Sequence, residues 1–137
     1  MAFDGPTDDR LAIRELVDAY GDAVCRRDAD AWVATWAPDG LWCIRGQRFQ
    51  GHASLRATWE AAMAAYRFVS FSGYPGHIEV HGDGARLRVH TTEWLAPVQG
   101  PPRLQHGSYD DTLVRIAGRW VFAQRSFTVL HAHTLPA

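Results

Sequence analysis

The chain has 137 residues, enough for one domain that buries its own core without help from a disulfide or a metal. Its formal net charge is −1, with 47% hydrophobic and 21% charged residues, the balance of an ordinary globular protein. All 14 cationic residues are arginine and none form a basic run, so a nucleic-acid footprint is absent. Cys25 and Cys43 stand outside any metal-type or redox-type spacing and read as free thiols. The opening MAFDGPTDDR lacks the basic and apolar regions of a secretion signal, and no apolar run nears the roughly 20 residues that span a bilayer. A soluble cytoplasmic protein is expected, one domain over 1–137, with neither nucleic acid nor membrane as partner.

The first half reads as helix. Ile13, Leu16, Val17, Tyr20 and Val24 recur at helical spacing and place a first helix at about residues 8–27. Thr7 suits its cap, and Asp8 and Asp9 suit the positive end of its dipole. Asp28-Ala-Asp30 restarts a helix carrying Trp32, Val33 and Trp36, which Pro38-Asp39-Gly40 stops. Leu41 to Ile44 is a short strand, with Arg48 to Gln50 as its hairpin partner. Gly51 precedes a third helix, in which Leu55, Trp59, Met63 and Tyr66 repeat.

From residue 68 the period becomes two. Phe68 to Ser72 is a strand before a break at Gly73-Tyr-Pro-Gly76. His77 to His81 and Ala85 to Leu95 flank Gly82-Asp83-Gly84, a strong hairpin signal. Pro97 to Pro102 is a loop. Gln105 to Ile116 and Arg119 to Val129 flank Ala117-Gly118, a second hairpin, and the tail HAHTLPA reads as loosely packed. Helices segregated from an antiparallel meander mean an α+β fold. A long twisted sheet must hide one face, and three helices are enough to cover it. Six Trp, six Phe and four Tyr supply wide, flat surface that either fills this core or lines a cavity for a flat apolar ligand.

The segment from Asp9 to Glu60, DRLAIRELVDAYGDAVCRRDADAWVATWAPDGLWCIRGQRFQGHASLRATWE, resembles the first half of SnoaL-like domains of the nuclear transport factor 2-like superfamily. The segment HGSYDDTLVRIAGRWVFAQRSF is similar to their closing hairpin. The resemblance implies a cone-shaped half-barrel: a curved antiparallel sheet, mixed at its edge, wrapped round the three helices. It also implies a pocket for a small hydrophobic molecule, and commonly a homodimer. Relatives include polyketide cyclases, ketosteroid isomerases, scytalone dehydratase, a dehydrochlorinase and small subunits of ring-hydroxylating dioxygenases, so the fold does not name the chemistry.

Dehydratase-like relatives pair an Asp late in the first helix with a His before the Gly-rich break. Those positions fall at Cys25 and Phe71, which cannot form a carboxylate–imidazole base. Ketosteroid isomerase-like relatives use a Tyr in the first helix and a protonated Asp on a late strand to hold an enolate, an arrangement that is a standard worked case of pKa tuning. Tyr20 matches the Tyr and Asp110 the late Asp, with Asp111 one residue away. The proton-moving Asp falls at Ile44. Arg125 matches a pocket arginine and Trp42 a pocket tryptophan of the relatives.

Strand register supports Asp110 separately. With a two-residue turn at Ala117-Gly118, Asp110 lies opposite Arg125, and Ser108 and His106 share its face. A three-residue loop puts Tyr109 opposite Arg125 instead. Imidazole titrates near neutrality, so His106 is the expected replacement base. The seven histidines show no ligand spacing with acidic partners, and neither metal nor cofactor is expected. Tyr20, Asp110, Arg125 and His106 are thus the expected catalytic residues, with Cys25, Trp42, Phe71 and Gln105 contacting substrate. The expected activity is an isomerase, cyclase or lyase moving protons at carbon. A ligand-binding domain without turnover and a dioxygenase partner subunit are the alternatives.

Overall fold

A computed structural model of the chain describes residues 2–136. In order, the elements are β1 (Phe3–Asp4), α1 (Thr7–Arg26), α2 (Ala29–Ala34), β2 (Trp36–Ile44), β3 (Gln47–Gln50), α3 (His52–Ala64), β4 (Tyr66–His81), β5 (Gly84–Pro97), β6 (Arg103–Ile116) and β7 (Arg119–Thr134). One seven-stranded sheet runs β1-β4-β5-β6-β7-β2-β3. Its long central strands pair antiparallel, while β1 joins β4 and β2 joins β7 in parallel. The sheet does not close, and its inner face packs against the helices. This is the α+β half-barrel with mixed edges that the sequence led us to expect. Among the described residues, no helix is long and apolar enough to cross a membrane.

The stripe on α1 lies on β4, burying Ile13, Leu16, Val17, Tyr20 and Val24. Arg27 ends the helix in the left-handed region at φ 55°, and the Asp28 side chain starts α2 by accepting from the Ala31 N–H at 3.0 Å. Trp32 on α2 stacks on Trp59 of α3 at 5.0 Å between centroids, and meets Trp36 and Trp42 of β2 edge-on. These rings join the helices to the sheet as one core.

Four local expectations are corrected. Thr7 does not cap α1: Pro6 holds the cap position, and the Thr7 hydroxyl accepts from Arg10 instead. α2 ends before Trp36, and Pro38-Asp39-Gly40 lies inside β2. That strand is irregular between Trp36 and Leu41, which spares Pro38 a ladder bond it cannot donate. Gly73 to Gly76 does not break the chain, because β4 runs through it with a bulge between Pro75 and His77. The tail pairs as far as Thr134, which lies opposite Arg103, while Ala137 at its end falls outside the described residues.

Candidate functional site

Alternation along β5 and β6 decides what reaches the hollow. Leu87, Val89, Thr91, Glu93 and Leu95 point inward on β5, and Gln105, Gly107, Tyr109, Asp111 and Leu113 do so on β6. On α1, Tyr20 and Val24 are four residues apart and share the inward face. Together with α3 and β2 they enclose a mainly apolar cavity of about 200 Å³. Tyr20, Trp42, Phe71, Glu93, Gln105 and Tyr109 all line it.

The Tyr20 and Tyr109 hydroxyls share a hydrogen bond at 3.3 Å. Behind the rings lies the Arg125 guanidinium, 3.7 Å from the Tyr109 centroid, 4.4 Å from that of Tyr20 and 4.0 Å from that of Phe122. Arg125 donates twice to Asp111, from Nε to Oδ1 at 2.9 Å and from Nη2 to Oδ2 at 3.0 Å. Neither side chain meets solvent. Burial pushes the Asp111 carboxyl up to about 6, against the pull of Arg125. Burial works against the Arg125 charge too, but Asp111 and the two phenols outweigh it and raise its pKa. Both groups are therefore ionised at neutral pH.

Burial raises the Tyr20 phenol, with Arg125 pulling it back. It raises Tyr109 well above its ordinary value, and Tyr20 adds to the rise. Both phenols stay neutral and can donate. Glu93 is the one carboxyl among the lining residues of this cavity. Burial pushes it up to about 7, while the Arg103 charge, the Gln105 side chain opposite it on β6 and the Arg45 charge pull it down. A carboxyl that exchanges its proton near neutrality can act as acid or base.

The structure redistributes the expected residues. Tyr20, Trp42, Phe71 and Gln105 reach the cavity. Arg125 lies on the inner face but sealed beneath the phenols. Asp110 and His106 do not reach it: both are exposed on the outer face, Asp110 beside Ser126 and His106 beside His131. The turn has two residues, with Ile116 opposite Arg119 as read. A bulge at Ala123 then shifts the register, so that Asp111 rather than Asp110 meets Arg125. Cys25 is also displaced. One residue past Val24 is about 100° round the helix, and Cys25 is exposed there, its Sγ 3.3 Å from both the Phe71 N–H nitrogen and the Phe71 carbonyl oxygen.

Sequence reasoning passed over Glu93 and Tyr109. The signal for Glu93 was its phase: a carboxylate in step with Leu87, Val89 and Leu95 must sit on the buried face of its strand. Tyr109 is in step with Asp111 and Leu113 in the same way.

Known structures share this architecture. A scytalone dehydratase candidate from Novosphingobium aromaticivorans superposes with a TM-score of 0.85 at 18% identity, covering 95% of this chain and 89% of that one. A hexachlorocyclohexane dehydrochlorinase from Novosphingobium barchaimii gives 0.84 at 19%, covering 93% and 90%. An aromatic ring hydroxylase candidate from Novosphingobium aromaticivorans gives 0.85 at 23%, covering 96% of each chain. At these identities the likeness shows the fold. Among curated protein sequences none matches. Residues 6–126 match the family model described as the SnoaL-like domain. That match spans most of the chain, and the chain belongs to the SnoaL-like domain family.

Proposed function

We propose that this protein is an acid/base catalyst that moves a proton at carbon in a small hydrophobic cyclic substrate, as an isomerase, cyclase or lyase does. The observation that carries this is Glu93, a carboxyl raised to about 7 in a cavity otherwise walled mainly by aromatic and aliphatic side chains. Ionised Glu93 takes the proton from a carbon beside a carbonyl. The C–H electron pair moves into the C–C bond, and the carbonyl pair moves onto oxygen. Tyr20 and Tyr109, both neutral, donate to that oxygen as its charge develops. Glu93 then returns the proton to carbon, which gives exchange or isomerisation. Neither Asp110 nor His106 has a part, since both face outward.

Exchange of the α-hydrogens of 2-tetralone in D2O, followed by NMR, tests this without knowledge of the natural substrate. Tyr20→Phe and Tyr109→Phe should each slow the enzyme-dependent exchange by roughly 10- to 100-fold, since each removes one donor to the forming oxyanion. Asp110→Asn should leave it unchanged. Equal rates in wild type and both tyrosine variants remove the phenols from the mechanism.

The second possibility is a binding domain without turnover. Phe71 favours it, because the cavity wall carries an apolar ring where dehydratase-like relatives hold their His. Ligand binding with no exchange above background would decide for it.

A homodimer joined through the outer sheet face belongs to the same proposal. That face leaves Tyr74 and Trp94 63% and 39% exposed. Sedimentation should give twice the chain mass, falling to one chain in Tyr74→Glu with Trp94→Glu. A wild-type monomer at micromolar concentration contradicts it.

A further inference from the structure

The rim of the cavity differs from its interior. Of the polar lining residues, Arg45 and Gln47 are exposed and therefore stand at the opening. Arg45 sits in the β2–β3 turn in a left-handed conformation at φ 54°, and among the described residues it has no ion-pair or hydrogen-bond partner for its side chain. A second guanidinium comes from the start of β6. Arg103 donates to the Tyr66 hydroxyl at 2.9 Å and lies 5.8 Å from the centroid of that ring, which itself lines the cavity. Both cations act on Glu93. Arg45 thus brings one positive charge to the edge of an aromatic hollow whose lining holds one carboxyl, and Arg103 adds a second behind Tyr66, outside that lining. Arg103 is held in place by Tyr66, while Arg45 is left with its donors free.

We infer that the ligand is an organic acid: one or two rings that enter the aromatic hollow, carrying a carboxylate that stays at the rim against Arg45. A neutral hydrocarbon or ketone leaves the donors of Arg45 unused. A carboxylate matches its planar fork in geometry and charge. The cavity of about 200 Å³ also favours one or two rings, being smaller than the roughly 300–1,000 Å³ sites of drug-sized ligands. This inference rests on the cavity being a ligand site, as proposed above, but not on turnover.

The probes are 2-naphthoate and its neutral counterpart 2-naphthamide, measured by calorimetry at pH 7.5 and low salt. The acid should bind about tenfold more tightly, the worth of one part-exposed charge-assisted hydrogen bond. Arg45→Gln should bring the acid down to the affinity of the amide. Added salt should weaken the acid alone. Acid affinity equal to or below that of the amide, including binding of neither, overturns the inference, as does an acid preference that survives Arg45→Gln. Amide binding with no acid preference removes the anion site and leaves the catalytic proposal standing. A clear acid preference with no tetralone exchange does the reverse.

Discussion

Arg125→Met should destabilise the protein by about 3–5 kcal/mol, because it strands the Asp111 carboxylate in the core. The pair is bidentate, at 2.9 and 3.0 Å, and its side chains are 1% and 0% exposed. The carboxylate left behind is fully buried in the native fold, and among the described residues no other cation pairs with it. Three aromatic rings also lose the charge they enclose. Such a loss is a large share of the roughly 5–15 kcal/mol that holds an ordinary domain together. The double variant Asp111→Leu with Arg125→Met should recover most of it, since burying two charges is itself costly. Urea denaturation of wild type, single and double variants measures this. A single variant within about 1 kcal/mol of wild type contradicts a sealed pair.

Glu93→Gln has the larger effect on chemistry. Tetralone exchange should fall by about 10²- to 10⁴-fold, the usual contribution of a positioned acid or base. In wild type the rate should rise with pH through about 7, as the carboxylate forms, and then level. The same residue works against stability. Its folded pKa lies above its ordinary value of 4.5, so the folded state prefers the protonated form. The stability Glu93 allows is complete below about pH 4.5 and is lost as pH rises through about 7. Glu93→Gln should therefore match wild type in acid and exceed it at pH 8. The gain is at most about 3 kcal/mol, reduced by the water that reaches this half-buried group. A variant that is slower yet more stable at alkaline pH is the signature of a strained functional carboxyl.

The fold was largely written in periodicity. The stripe from Ile13 to Val24 fixes α1, and the alternation after residue 68 fixes the meander. What pattern could not show was where a strand absorbs an extra residue. A single bulge at Ala123 moved the Arg125 partner from Asp110 to Asp111 and turned Asp110 and His106 outward. Register shifts of this kind are settled by packing between strands, here by the phenols and Arg125 filling the inner face. Cys25 was misplaced by one helical step for a similar reason, since the phase of α1 against the sheet is a tertiary property. Tyr20 and Trp42 reach the cavity, and each belongs to a strongly periodic or aromatic core segment. Glu93 was legible in phase, but a lone acid on an apolar strand face has meaning only once a cavity is seen beside it.

Carbon-13 NMR of the Glu93 carboxyl, titrated from about pH 3 to 9 in the intact protein, tests the central claim most directly. A midpoint near 7 is expected, set by burial against the aromatic walls. A midpoint near 4.5, the value of a freely solvated glutamate, contradicts it, for such a group would be neither buried nor poised to exchange a proton at neutral pH.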